Sequence, residues 1–574
     1  MLTLQQRIKQ FRHSLADIDA LPQLTLLGVV VGLLSGLLII AFRLLIEIPL
    51  SWGLPGHSEN FEGLPPILHF FLPVIGAIII GVGLHYLPQK FRDVSVGNVL
   101  ERFHNYQGRM PAGNLFVQFF GGILCLISGQ SVGREGPAVH LGASAASLFG
   151  QWLRLPNNSL RTLIGCGVAA AIAASFDTPV AGVIFAMEVV VLNYSIVGFI
   201  PIMMASVCGA FITRLTFGEA EFFTATGLDM HGLWEIPLMV ASGFIIGLIA
   251  TLYMRLQLGF SRFGHYPIAA RIIVAGCVTG LLALLAPEIL GLGYDTVNMA
   301  LDGSIALHAL IVILLAKIVA TTFSIAMGMP GGLIGPQLFI GACIGAIIGN
   351  VVNLIFPDSV SNSGFYVLLG MAAMMGAVIN APLAALMAVL ELTYNPSAMF
   401  PSMLIIVVAC LTTRQLFHCE GIFIEQLKAK GKLLDAGPAQ QILSNIGVRS
   451  AMKTAFVECS TTITATAAKH HLESNPLWIV MSSDDEQRIL LRASDLAVYL
   501  AANTAVDHVD LLEIPGQRFN LSPIHELATL YQAQQLLKQK HADALFVTHQ
   551  IQASSTTKVL GIITHNTIDN HYKL

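Results

Sequence analysis

Long apolar runs separated by short polar breaks dominate the chain as far as Thr412. Leu24–Leu45, Ile67–Leu87, Arg161–Leu192, Ile236–Tyr253 and Ala306–Ala326 each hold enough apolar residues for a membrane-crossing helix, which needs roughly 20. Ile272–Leu285 and Ala398–Thr412 are shorter, and Gly and Pro interrupt several others. From about Glu425 the pattern changes. Lys428, Lys430, Lys432, Asp435 and Gly437-Pro438 read as a linker. Leu477–Met481, Ile489–Leu491, Ala544–Thr548 and Val559–Ile563 then read as strands among helical segments. Ile551–Lys558, rich in Ser and Thr, reads as a hairpin loop. The expected fold is an all-α polytopic membrane protein followed by a cytosolic α/β region.

Composition sharpens this picture. At 574 residues, 55% hydrophobic and only 11% charged, the chain is not an ordinary soluble enzyme. Met1–Leu21 is polar, carries Arg7, Lys9 and Arg12, lacks a cleavable signal pattern and is expected to stay cytoplasmic. The eight cysteines form no CxxC pair and read as small apolar fillers, with no metal or disulfide role. The net charge of −4 comes without a basic tract, so nucleic acid is not an expected partner. An intramembrane enzyme is disfavoured too. No HExxH is present, and Gly129-Gln130-Ser131-Val132-Gly133 spells GxSxG after an apolar stretch, not a strand, with no evident triad partners.

An internal repeat organises the apolar part. Gly133-x-x-Gly136-Pro137-x-Val139-x-Leu141-Gly142-Ala143 returns as Gly332-x-x-Gly335-Pro336-x-Leu338-x-Ile340-Gly341-Ala342. Asp177-Thr178-Pro179-Val180-Ala181, ending at Glu188, returns as Asn380-Ala381-Pro382-Leu383-Ala384, ending at Glu391. Duplicated halves with broken helices build transporter sites near the bilayer midplane. Asp177 and Asn380, each two residues before a proline, are candidate helix N-caps. Glu135 sits inside the first Gly-rich break, and an ionisable residue at membrane depth is a functional candidate by default. The helix starting at Gly136-Pro137 would aim free amides and a positive dipole end at an anion.

Gly133-Arg134-Glu135-Gly136-Pro137, with Gly332–Pro336 repeating it, resembles the CLC chloride channel and transporter family over about Leu24–Leu427. The region from about Val448 resembles a pair of CBS domains. The resemblance implies two inverted repeats, a homodimer in the bilayer with an ion path in each subunit, and chloride as the ion. The expected boundaries are a cytosolic segment over 1–23, a membrane domain over 24–424, a linker over 425–447 and the CBS pair over 448–574. Both termini would be cytoplasmic and the location the plasma (inner) membrane.

The resemblance also assigns roles. Glu135 takes the place of the external gating glutamate, competing with an anion for the amides around Arg134, Glu135 and Gly136 until protonated. Ser95, in Ser95-Val96-Gly97-Asn98-Val99-Leu100-Glu101, matches the serine whose hydroxyl holds the central anion. Leu333 and Ile334 offer backbone amides, with Ile334 where the family usually has Phe. Phe423 stands where a Tyr usually lies beside the anion, a loss of one charge-assisted hydrogen bond worth about 1.5–3 kcal/mol. Val189 replaces the internal proton-transferring glutamate, although its neighbour Glu188 is kept. Val189 and Phe423 together favour a passive chloride channel gated by protonation of Glu135 and sensitive to pH and voltage. The alternative is a chloride/proton antiporter with a non-standard inner proton route. His140 reads as a packed residue. In the CBS pair, Gly561 and Thr564 start a ribose-contacting pattern, but Thr567 takes its acidic place. In the first copy Asp495 is kept and Arg492 is not the expected Ser or Thr. An adenine nucleotide is therefore a weak expectation, dimer stabilisation or gate coupling a stronger one, and no other cofactor is expected.

Overall fold

A computed structural model of the chain describes residues 21–56, 59–192, 196–218, 223, 229–356, 360–432, 438–482, 488–503, 507–549 and 558–572. The expected N-terminal segment 1–20, Asp435 and Gly437 in the linker, and residues 551–557 of the Ser/Thr-rich loop lie outside these. The structure divides into two compact units. One joins Leu24–Trp152 to Arg161–Leu434; the other holds Leu153–Leu160 and Asp435–Leu574, together with Met1–Gln23.

The first unit is helical throughout. In chain order its main helices are α1 (Leu21–Gly53), α2 (Pro66–Tyr86), α3 (Val96–Asn105), α4 (Ala112–Ile127), α5 (Glu135–Trp152), α6 (Asn157–Phe176) and α7 (Pro179–Phe185). A π turn, Ala186–Val191, continues α7. Then come α8 (Ile196–Phe217), α9 (Ile236–Ser261), α10 (Ile268–Ala283), α11 (Tyr294–Leu301), α12 (Leu307–Met327), α13 (Ile334–Ile355), α14 (Ser363–Ile379), α15 (Pro382–Thr393), α16 (Met399–Leu411) and α17 (Ile422–Ala429). Among the described residues, eight helical stretches are long and apolar enough to cross a membrane. Many of their large side chains, such as Leu26, Leu37, Ile67, Phe211 and Leu315, face outward.

The apolar stretch Arg161–Leu192 holds two helices, α6 and α7. Asp177 breaks it by taking a left-handed conformation (φ 57°), and Asn380 does the same between α14 and α15 (φ 59°). These residues therefore end helices; they do not cap the next ones, because Asn and Asp tolerate this conformation better than most side chains. Thr178 and Ala381 stand at the N-cap positions and supply no side-chain cap. The repeat extends to packing. A Cβ on Gly142 would lie 2.2 Å from the Gly167 carbonyl oxygen, and one on Gly341 2.4 Å from that of Gly370. Close backbone approach between α5 and α6, and between α13 and α14, thus requires glycine at matching places.

The second unit carries a six-stranded sheet. Its strands are β1 (Phe456–Ser460), β3 (Trp478–Ser482), β4 (Arg488–Arg492), β6 (Phe519–His525), β7 (Ala544–Thr548) and β8 (Gly561–Thr564), in that spatial order; β2 (Thr462–Thr464) and β5 (His508–Asp510) pair separately. A parallel pair and then an antiparallel one, β1–β3–β4, recurs as β6–β7–β8, joined where β4 pairs with β6. Such duplication fits two α/β modules. Among the described residues, four of the eight strands match the sequence expectation within two residues, while β1, β2, β5 and β6, which are less continuously apolar, were not expected. Burial pushes the Cys459 thiol in β1 up to about 11, so it is protonated and inert at neutral pH.

Gly142→Ala and Gly341→Ala are each expected to lower stability by about 1–3 kcal/mol or more through overpacking. Gly83→Ala, where an added Cβ meets nothing within 4 Å, should be neutral or stabilising. Thermal unfolding of the purified protein in detergent distinguishes the three.

Candidate functional site

The two Gly-rich breaks meet. Gly133 N–H donates to the Gly332 carbonyl and Gly332 N–H to the Gly133 carbonyl, both at 2.7 Å, in an isolated antiparallel bridge. Gly136 then lies against Gly332 so closely that a Cβ on Gly136 would come within 2.6 Å of the Gly332 Cα. The starts of α5 and α13 are therefore held side by side by a backbone bridge.

Glu135 is fully buried at this junction. Gly335 N–H donates to its Oε2 at 2.9 Å, and the Tyr294 hydroxyl donates to its Oε1, also at 2.9 Å. The carboxylate is wedged between glycines: a Cβ on Gly133 would lie 2.1 Å from Oε2, and one on Gly335 2.8 Å from Oε1. A helix-start amide and a hydroxyl converge here, and such donors suit a carboxylate or a small anion equally. Tyr294 opens α11, which packs on α13 and α14. Sequence reasoning did not select it. Its only signal was a tyrosine following the glycines of Gly291-Leu292-Gly293.

Arg134 points elsewhere. Its guanidinium pairs with Glu47 of α1 at 3.5 Å and donates to the Ser175 carbonyl at 3.2 Å, with the Phe176 and Tyr294 rings 5.6 Å away. Leu333 and Ile334 are buried at the head of α13. The amide that reaches Glu135 belongs to neither; it is Gly335's. The Ile334 side chain lines a small apolar cavity with Phe185, Leu338, Met375 and Ala384.

Ser95 caps α3. Its Oγ accepts from Asn98 N–H at 3.1 Å and donates to Asp93 Oδ1 at 3.4 Å. It also lines a cavity of about 600 Å³ with Arg92, Asp93, Arg271, Gly331, Gln426 and Lys430 among others. Gly331 adjoins the Gly133–Gly332 bridge, so this cavity leads toward the junction. Asp93, also missed in the sequence, pairs with Lys430 at 2.8 Å. Burial works against its ionisation, but Lys430 and Lys432 outweigh that and hold its carboxyl below the usual range. Phe423 is buried in the first turn of α17, while Gln426 and Ala429 of that helix line the Ser95 cavity.

Glu188 and Glu391 act reciprocally. Glu188 accepts from Ala384 N–H at 2.8 Å and Leu383 N–H at 3.4 Å, at the start of α15. Glu391 accepts from Ala181 N–H at 2.7 Å and Val180 N–H at 3.0 Å, at the start of α7. Each thus neutralises the positive end of the other repeat's helix, and α7 and α15 run antiparallel. Val189 is buried in the π turn. His140 is buried with Ser144 Oγ 3.4 Å from its Nδ1.

In the second unit a cavity of about 610 Å³ is lined by Lys453, Asn475, Trp478, Arg492, Thr564 and Thr567, among others. Asp495 is not among its lining residues: its Oδ1 accepts from the Ser494 hydroxyl at 3.2 Å.

Residues 75–414 match the voltage gated chloride channel family. A ClcB-like protein of Ralstonia nicotianae, which carries a provisional chloride-channel name, is 28% identical over 407 residues, 68% of this chain and 92% of that one. The H(+)/Cl(-) exchange transporter ClcA of Cronobacter sakazakii is 26% identical over 431 residues, 71% of this chain and 90% of that one. A slow cyanobacterial Cl-/H+ antiporter of known structure superposes with a TM-score of 0.64 at 22% identity, covering 71% of this chain and 97% of that one.

Tyr294→Phe removes one donor from an ionised carboxylate, worth about 1.5–3 kcal/mol. Because the same hydroxyl would serve a bound anion, the apparent affinity for chloride, measured from flux in liposomes, should fall by about tenfold or more. Lys430→Ala unmasks Asp93 and should slow chloride entry from the Ser95 side. The defect should shrink in about 1 M salt, where the Debye length is about 3 Å.

Proposed function

Because this chain belongs to the voltage gated chloride channel family, we propose that it exchanges chloride for protons across a membrane as a homodimer. The observation that carries this reading is the Glu135 carboxylate seated between the Gly335 amide and the Tyr294 hydroxyl. A chloride ion needs the same kind of donors. Carboxylate and chloride therefore compete, and protonation of Glu135 removes the charge that holds it there. Each displacement then links a proton on Glu135 to an anion in its place.

Relatives that carry the exchanger name support coupling over the passive conduction that Val189 suggested. Several basic side chains support one orientation in the membrane. Arg92, Arg271 and Lys430 line the Ser95 cavity, and cationic loops belong on the cytoplasmic side. In this reading chloride enters from the cytoplasm there, and Glu135 lies buried deeper along the path. The second unit is then a cytosolic CBS pair, with a structural or coupling role.

An imposed pH gradient across liposomes containing the protein should drive chloride uphill and displace its reversal potential from the chloride value. A reversal set by chloride alone would mean a passive channel. Glu135→Gln and Glu135→Ala should both flatten the pH dependence of chloride flux and abolish proton coupling.

A further inference from the structure

We propose that Glu59 is a second proton-binding carboxyl, on the membrane face opposite the Ser95 cavity, whose charge sets how tightly the Glu135 site holds an anion. This rests on the reading above, in which chloride and the Glu135 carboxylate share the same donors. α2 is long and apolar enough to cross a membrane. Glu59 precedes it, in the loop after α1, while Asp93 and Ser95 follow it. Glu59 and the Ser95 cavity therefore lie on opposite faces.

The loop that carries Glu59 is fixed to the segment that carries Tyr294. The Tyr294 backbone amide hydrogen-bonds to the Glu59 carboxylate, and the Tyr294 hydroxyl donates to Glu135. The Thr296 hydroxyl donates to Glu62 Oε1 at 3.1 Å. Phe61 is wedged against the same segment: a Cβ on Gly291 would come within 2.6 Å of its ring, and one on Gly129 within 3.0 Å. Tyr294 thus touches both carboxyls, Glu59 through its main chain and Glu135 through its side chain.

A small cavity gathers the charges. Arg43, Glu47, Glu59 and Arg134 line it with Phe61 and Leu292, and its volume of about 20 Å³ suits about one water molecule. Glu47 of α1 pairs with Arg43 at 3.1 Å and with Arg134 at 3.5 Å. Arg134, Asp295 of α11 and Glu47 all act on Glu59, and Lys317 of α12 feels its charge. Glu59 keeps partial contact with water, so it exchanges protons with that side without a relay. Burial raises its carboxyl to about 7, helped by Asp295 and Glu47 and opposed by Arg134 and the Tyr294 amide.

Two guanidiniums face two carboxyls in this cavity. With Glu59 ionised, its charge offsets that of Arg134, the neighbour of Glu135. With Glu59 protonated, the offset is lost, and the potential around the Gly335 amide and the Tyr294 hydroxyl becomes more positive. An anion held by those donors is then bound more tightly. Acid on that face thus strengthens anion binding through Glu59, apart from any proton taken up by Glu135.

The test measures chloride binding to purified full-length protein by titration calorimetry, in a Glu135→Gln background that removes the other carboxyl. Between about pH 8 and about pH 6, binding should tighten about fivefold, at the low end of coupling between two sites. Adding Glu59→Gln should hold binding at the tighter level throughout, whereas Glu59→Asp should keep a pH dependence. Glu62→Gln loosens the same loop, but Glu62 is not among the cavity's lining residues, so the pH dependence should remain. Binding that ignores pH in Glu135→Gln alone overturns the proposal, whether or not the Glu59 variants fold. A pH dependence that survives Glu59→Gln, or one lost equally in Glu62→Gln, also overturns it. Protein that binds chloride as expected yet moves no protons brings down the exchange reading and leaves the role of Glu59 standing. Absence of chloride binding in every variant overturns both.

Discussion

Two backbone hydrogen bonds between Gly133 and Gly332 hold the transport unit together at its centre. A helix that stops inside a membrane leaves amides and carbonyls that lipid cannot satisfy, so broken helices survive only where protein or water covers their ends. Here each repeat covers the other. The reciprocal bridge leaves no room for side chains, which accounts for glycine at 133, 136, 332 and 335 better than flexibility does. With those positions empty, a carboxylate fits between the two chains and finds the Gly335 amide.

The same logic governs the second pair of breaks. Thr178 and Ala381 make no side-chain cap at the starts of α7 and α15. A local cap would satisfy each helix alone. The distant ones, Glu391 and Glu188, tie the repeats together while satisfying both. Their separations of 210 and 196 residues mean that neither half can complete its own helix ends. That mutual dependence also fixes what Glu188 can do: a carboxylate holding two amides is poorly suited to shuttling protons.

Much of this was legible in the chain. Apolar runs gave the helical class, and the repeated Gly-x-x-Gly-Pro pattern marked the breaks and picked out Glu135. Local features failed where the partner was remote. Asp177 and Asn380 looked like caps because a proline followed, but their positive φ ends the preceding helix. Tyr294 reaches Glu135 across 159 residues, and no periodicity announces such a contact. Leu333 and Ile334 were selected by motif position as donors to an anion, and the amide that reaches the Glu135 carboxylate is that of the next residue, Gly335. That difference depends on helix phase, which spacing does not determine.

Tyr294 is itself held from behind, which bears on how firmly Glu135 can be seated. Lys317 of α12 is fully buried and donates to the carbonyls of Ile289 at 2.9 Å and Gly291 at 3.2 Å. These carbonyls belong to the loop that leads into α11. Gly291 N–H in turn donates to the Gly129 carbonyl at 3.3 Å, close to the first break. A buried amine is costly unless its donors are engaged. Here the engagement anchors the loop that presents the Tyr294 hydroxyl. A donor fixed this way loses little entropy when it binds, so it can hold an anion without large reorganisation. Transport nevertheless needs a site that releases as readily as it captures. One amide and one hydroxyl around a single carboxylate are the kind of site that the proposed exchange requires.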